Sequence, residues 1–189
     1  TRLSRGLGDV YKRQQMHLSG DFGETWQGIL YGKSYGLGDG LAIKFLSHDD
    51  SNQTIIATDA NSGDLYYSNN LGKDWESATG LIDIEHSLFE ESFGIHIVEE
   101  ATSNPMVLYA GYIQSKIKGQ DPHQLDEIEQ SPGMYKSIDG GMSWFPINNG
   151  LPDKDYSRNI SDIAVSKQNE NIVYINSLFD GLYLSLIHI

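Results

Sequence analysis

The run "YKSIDGGMSW", Tyr135 to Trp144, decides how this chain is to be read. It sets Ser137, Asp139, Gly141 and Trp144 at fixed offsets within one short stretch. Two copies occur upstream. "LSGDFGETW" (Leu18–Trp26) carries Ser19, Asp21, Gly23 and Trp26, and "YSNNLGKDW" (Tyr67–Trp75) carries Ser68, Asn70, Gly72 and Trp75. The common pattern, S-x-[DN]-x-G-x-x-W, is called the box below. An Asp or Asn in a tight turn accepts hydrogen bonds from backbone N–H groups that the strand ladder leaves free, and Gly supplies positive φ. Ser adds a second local bond, and Trp offers a large apolar face at the start of the next strand. Asn70 keeps the acceptor and loses the charge. The box therefore reads as turn-building, not as catalytic or metal-binding.

The spacing of the boxes gives the repeat. Trp26 to Trp75 is 49 residues and Trp75 to Trp144 is 69. Each interval has the same internal order: "LAIKFLS", "TIIATDA", "DLYYSNN" and "WESA" in one, "FGIHIVEEA", "VLYAGYI", "GMYKSI" and "WFPI" in the other. A third set begins with "ISDIAVS", "IVYINSL" and "GLY". The segments are short, rich in β-branched and aromatic residues, and separated by Gly, Asn, Asp and Ser. None shows a sustained helical period. Four strands per repeat of about 50 residues describes a propeller blade. The expected fold class is all-β, a fragment of a multi-bladed β-propeller with four-stranded antiparallel blades. Residues 15–30 read as the last hairpin of one blade, 41–79 and 93–148 as two full blades, and 160–183 as three strands of another.

At these residues the chain resembles the Asp-box (BNR) repeat, over nearly all of 15–183. Families built on that repeat include sialidases, xyloglucanase-type glycoside hydrolases, the sortilin lumenal domain and the photosystem II stability factors. The resemblance implies a multi-bladed propeller and does not choose among them, because fold does not fix function.

The two ends read differently. "DVYKRQ" (Asp9–Gln14) can be encoded by GAT GTG TAT AAG AGA CAG, whose reverse complement reads "LSLIHI", the last six residues. One inverted DNA element at both termini resembles the transposon mosaic end used in library preparation, so 1–14 and 184–189 are expected to be adapter-derived and are set aside. Within 15–183 there are nine Lys/Arg and 25 Asp/Glu, a formal charge of −16, against −13 for the whole chain. A surface so acidic repels nucleic acid and anionic membranes, both of which need clustered cations. No nucleic-acid partner is expected, and no apolar run approaches the ~20 residues of a membrane span. The chain has no cysteine, hence neither disulfides nor a thiolate metal site. This is compatible with an exported protein at the cell surface or in the periplasm.

In a propeller, the turn between third and fourth strands lies on one face. The inter-blade loops and the second-to-third-strand loops share the other, where a glycan or protein ligand is expected. The residues that could line this loop face are Tyr35, Asp39, Asp83, Phe89, Asp155, Tyr156, Arg158, Phe179 and Asp180. The extra residues of the second interval make a long loop, 114–132, on the same face, and with four acidic residues it reads most simply as disordered. Glycoside hydrolysis needs two carboxylates about 5–10 Å apart. Asp59 is the catalytic candidate, because "ATDANSGDLYYS" loosely resembles the run carrying a catalytic Asp in xyloglucanase-type enzymes. It departs by replacing a Gly-Gly turn with Ala60, Asn61 and Ser62. Sialidases are expected to clamp the substrate carboxylate with three arginines; only Arg158 stands within 15–183, and alone it reads as a surface residue or an ion-pair partner. No cofactor and no metal site is expected. His17, His48, His86, His96 and His123 lack ligand spacing, and His96, between Ile95 and Ile97, reads as a satisfied structural histidine. "GLGDG" (Gly36–Gly40) lacks the helix and Lys of a phosphate loop.

Unpaired blade edges expose ladder groups. The isolated chain is therefore expected to be marginally stable or prone to associate, and a cooperative thermal transition of a monomer would contradict this.

Overall fold

A computed structural model of the chain describes residues 17–19, 21–28, 41–45, 54–59, 64–81, 93–114, 132–152, 158–178 and 181–186. Among these residues all regular structure is β, and no helix is long and apolar enough to cross a membrane. Every strand pairs antiparallel with its sequence neighbour, in four sheets. The first is the hairpin of β1 (His17–Leu18) and β2 (Gln27–Gly28). The second runs β3 (Leu41–Phe45), β4 (Ile55–Asp59), β5 (Leu65–Ser68) and β6 (Glu76–Ser77). The third runs β7 (Phe93–Glu100), β8 (Leu108–Gln114), β9 (Met134–Ser137) and β10 (Phe145–Pro146). The fourth runs β11 (Ile160–Val165), β12 (Ile172–Ser177) and β13 (Gly181–Leu186). β13 thus continues through Leu184, Ser185 and Leu186, which pair with Tyr174, Val173 and Ile172. Those three residues belong to the terminus whose coding sequence suggests an adapter, a matter of origin that strand pairing does not address.

Strand alternation sends neighbouring side chains to opposite faces, and in the third sheet both faces are buried. Ile95, Val98, Leu108, Ala110, Tyr112, Tyr135 and Trp144 join Ile56 and Leu65 of the second sheet in one apolar cluster. Tyr109, Met134, Val107 and Ala101 join Ile160, Ile163, Val173 and Ile175 of the fourth sheet in another. The core is therefore a series of layers between successive sheets. This explains why β8 reads as the near-continuous apolar run "LYAGYI".

Two local devices let the sheets approach. A β-bulge at His96 leaves it without a partner on β8, so Ile95 pairs with Tyr112 and Ile97 with Gly111. The extra residue brings Ile95 and Val98, three positions apart, onto the same buried face. The same irregularity recurs in β11, where Ile160 pairs with Ser177 and Asp162 with Asn176, and Ile160 and Ile163 share a cluster. His96, read as a satisfied structural histidine, is exposed: as the bulged residue it is turned out of the ladder. The second device is Gly111. A Cβ there would lie 2.7 Å from Cβ and Cγ2 of Ile160, so the inner strand of the fourth sheet sits directly on the backbone of β8.

The box turn of the third sheet rests on the second. Trp144 N–H donates to Thr79 O at 2.9 Å, and Thr79 N–H donates to Met142 O at 3.1 Å. Gly141, at φ +94°, has no room for a side chain: its Cβ would meet Ile56 Cδ1 at 2.3 Å. Gly150 has a similar backbone, φ +86°, and open space around it. The pair separates strain from crowding. Gly150→Ala is expected to cost about 1–2 kcal/mol for the left-handed backbone alone. Gly141→Ala is expected to lose a further ~1–3 kcal/mol from overpacking. Urea denaturation of both variants checks this, and equal losses would show that the Ile56 contact carries nothing.

Candidate functional site

The box turns hold two of the acidic groups singled out by sequence, Asp21 and Asp139. In the third sheet, Ser137 Oγ accepts Gly141 N–H at 2.9 Å and donates to Asp139 Oδ1 at 2.8 Å. Asp139 Oδ1 also accepts Ser143 N–H at 3.0 Å, and its Oδ2 accepts the Ser143 hydroxyl. Trp144 Nε1 donates to Gly141 O at 2.9 Å. The first box repeats the Ser and Asp bonds, with Thr25 in place of Ser143. Burial pushes the Asp139 carboxyl up, but the hydroxyl and N–H of Ser143 and the hydroxyl of Ser137 outweigh it and hold the group below the usual carboxylate range. The hydroxyl and N–H of Thr25, with Ser19, bring Asp21 down to about 2. Both carboxylates are committed to the turn and ionised at neutral pH, which suits neither a general acid nor an open ligand site.

The second box is built with the polarity reversed. Asn70 Oδ1 accepts Asp74 N–H at 2.9 Å, while Asn70 Nδ2 donates to Asp74 Oδ2 at 2.8 Å. The pairs are thus Asp21 with Thr25, Asp139 with Ser143 and Asn70 with Asp74, always one donor and one acceptor. A second departure lies between the box acid and the box glycine. Phe22 (φ +58°) and Leu71 (φ +60°) adopt left-handed backbone where the third box has Gly140 (φ +76°), so two consecutive positive φ values build the turn.

The strand ends opposite the boxes form the candidate ligand face. Thr58 pairs with Leu65, Gly111 with Met134 and Asn176 with Leu182. The residues preceding Leu65, Met134 and Leu182 are therefore equivalent: Asp64, Gly133 and Gly181. The two glycines take positive φ, +71° and +91°, whereas Asp64 replaces that solution with an exposed carboxylate. Tyr66 Oη donates to Asp64 Oδ2 at 3.3 Å. Beneath lie Tyr112 and Tyr135, ring centroids 5.5 Å apart and planes at 46°. Burial, followed by the charges of Tyr135 and Asp64, pushes the Tyr112 phenol well above its ordinary range, so it stays a neutral donor. Comparing "DLYYS" with "GMYKS" and "GLYLS" would have flagged Asp64 from sequence, as an acid where the repeat otherwise uses glycine.

Asp59 is the last residue of β4, opposite Leu41. Since Thr58 pairs with Leu65, Asp59 at the end of β4 and Asp64 just before β5 stand at either side of residues 60–63. Arg158 is buried, which corrects its reading as a surface residue. Its Nε donates to Pro152 O at 2.9 Å, and its Cδ lies 3.2 Å from where a Cβ of Gly133 would be. Asn148 closes the same corner, accepting Met134 N–H and donating to Pro132 O, each at 2.8 Å. The guanidinium thus braces the approach to β11 against Pro152, while the Arg158 stem occupies space that Gly133 leaves at the start of β9. Tyr35, Asp39, Asp83, Phe89, Asp155, Tyr156, Phe179 and Asp180 lie outside the described residues, as does nearly all of the 114–132 loop.

No protein-family model matches the chain, and no curated protein matches it. Solved structures similar to the chain include the following two. An ancestral GH74 enzyme matches with TM-score 0.53 and 17% identity, over 85% of this chain and 19% of its own. YCF48 from Cyanidioschyzon merolae matches with TM-score 0.51 and 17% identity, over 90% of this chain and 47% of its own. The chain spans less than half the length of either. At such identity the likeness concerns fold alone, and together with the four antiparallel sheets it makes the chain a segment of a β-propeller.

The reversed box yields a prediction. Asn70→Asp places two carboxylates where one donor and one acceptor are required. It is expected to cost about 1–2 kcal/mol at neutral pH, a lost hydrogen bond plus like-charge repulsion. The loss should shrink as pH falls and one carboxyl regains a proton. Adding Asp74→Ser should restore stability at pH 7. Urea midpoints across pH measure both effects, and a pH-independent loss would refute the pairing rule.

Proposed function

We propose that the chain is an Asp-box propeller module of a larger, exported protein, binding a glycan or protein on its loop face without catalysing a reaction there. The observation that carries this reading is Asp64. Where the equivalent positions hold left-handed glycines, this blade presents an exposed carboxylate beside the Tyr66 hydroxyl. A residue that gives up the repeat's own solution for the turn has some role other than building it. A carboxylate with neighbouring phenols suits hydrogen bonding to sugar hydroxyls or to a peptide backbone. The ionised, fully engaged Asp21 and Asp139 support a structural use of the boxes and leave the opposite face for recognition.

A second reading, a glycoside hydrolase acting on β-glucan, is favoured by one observation. Asp59 and Asp64 flank a single strand connection, and paired carboxylates are what glycoside hydrolysis requires. The similarity to a GH74 enzyme fits this reading at the level of fold.

Titration calorimetry against a panel of β-glucan oligosaccharides, with reducing-end release assayed in parallel, separates the two. The binding reading expects saturable binding without release, weakened about tenfold by Asp64→Ala through loss of one charge-assisted hydrogen bond. Release of reducing ends that disappears in both Asp59→Asn and Asp64→Asn would replace it with the hydrolase. Binding unaffected by Asp64→Ala would move the ligand away from this blade.

A further inference from the structure

The corner that follows the third sheet carries Asn149 and Gly150, the one Asn-Gly pair in the chain. It is a tight turn, closed by Leu151 N–H donating to Asn148 O at 3.0 Å. Asn149 and Gly150 hold its two central positions, and Gly150 takes φ +86°, as the third residue of a type II turn does. Both residues are exposed. Among the described residues no hydrogen bond engages the Asn149 side chain or the Gly150 N–H. The surroundings are open as well, since a Cβ on Gly150 would meet nothing within 4 Å. Asparagine is a chemically labile residue. Here its carboxamide stands next to an unengaged backbone N–H with room to turn.

Asp139–Gly140 offers related chemistry and is locked against it. The Asp139 carboxylate accepts from the Ser137 hydroxyl and from the N–H and hydroxyl of Ser143. The Gly140 N–H donates to Met106 O at 3.0 Å. Both the nitrogen that would attack and the carboxyl it would attack are therefore held in place. The box turn protects its own Asp-Gly step, and the corner after β10 leaves the Asn-Gly step unprotected.

We propose that Asn149–Gly150 is a modification site at which the chain reacts with itself, converting the asparagine through a cyclic imide to aspartate and isoaspartate. The Gly150 nitrogen attacks Asn149 Cγ. The new C–N bond closes the ring, and the side-chain nitrogen leaves as ammonia, taking the proton of the Gly150 amide. Water then opens the ring. Attack at Cγ breaks the new bond and gives aspartate. Attack at the main-chain carbonyl breaks the original peptide bond and gives isoaspartate, whose backbone runs through the former side chain. Either product adds one negative charge.

Isoaspartate also adds a backbone carbon between Asn148 and Leu151, so the bond that closes the turn cannot keep its geometry. Asn148 holds Met134 N–H and Pro132 O at the start of β9, and Leu151 packs on the core between the third and fourth sheets. Gly133, the equivalent of Asp64 at the candidate ligand face, lies against Asn148 Oδ1. Conversion at Asn149 thus loosens that corner slowly and irreversibly, whatever the face binds.

Incubation of the full chain at mildly alkaline pH, native and in urea, tests this. Peptide mapping by mass spectrometry reads the sites, and an isoaspartate-directed methyltransferase reads the rerouted backbone. The native chain is expected to convert at Asn149 before any other asparagine and to leave Asp139–Gly140 intact. In urea Asp139–Gly140 should isomerise too, because its lock is conformational; this arm also shows that the native sample was folded. Asn149→Gln keeps an exposed amide but requires a larger ring, and should stay unmodified. The isoaspartate fraction, separated by its extra charge, should unfold at a lower urea midpoint than Asn149→Asp, which carries the same charge on an ordinary backbone. Asn149 that stays intact in the native chain overturns the site, whatever happens in urea. Equal midpoints for the isoaspartate fraction and Asn149→Asp overturn the loosening of the corner. Isomerisation of Asp139 at one rate with and without urea overturns the lock.

Discussion

Everything in this chain depends on one contact, the seating of each sheet's face against the next. A single four-stranded sheet with two apolar faces cannot exist alone in water, because each exposed apolar Å² forgoes about 25 cal/mol of transfer free energy. Stacking buries both faces of the third sheet at once, through Ile56, Leu65 and Trp144 on one side and Tyr109, Met134 and Ile160 on the other. The bulges at His96 and before Asp162, and the bare backbone at Gly111, all serve that approach. Each lets a strand come closer to its neighbour than a regular, fully side-chained ladder would allow.

The boxes are the edges of the same contact. Their hydrogen bonds satisfy the turn's own polar groups, so the Trp and the left-handed glycine can be laid against the preceding sheet without leaving N–H groups unpaired. The polarity reversal between Asn70–Asp74 and Asp139–Ser143 shows that the turn needs one acceptor with a complementary donor, and not a particular residue. Charge at this place is incidental to the architecture, which is why a carboxylate here says little about chemistry.

Function has to be sought where the repeat stops repeating. Asp64 is such a place, an acid among glycines at the end of the sheet away from the boxes. Arg158 is the opposite case. As the only arginine of 15–183 it stands out in the sequence, and in the fold it is a buried tie between Pro152 and the corner left open by Gly133.

The sequence by itself determined the repeat, the strand order within each blade and the turn-building role of the boxes, because these rest on local spacing: period-two alternation, glycines at turns and short-range side-chain bonds. It could not determine the β-bulges, since one inserted residue makes Ile95 and Val98 share a face that simple alternation assigns to opposite ones. Nor could it place Arg158 or expose His96, whose surroundings come from residues distant in the chain. Asp64 was legible in principle, by aligning the repeats, but its meaning required the register that makes Gly133 and Gly181 its equivalents. Which of two chemically similar faces is covered, Leu65 or Leu182, is decided only in three dimensions. Burial is a property of what lies against a strand, and the strand's own residues do not encode it.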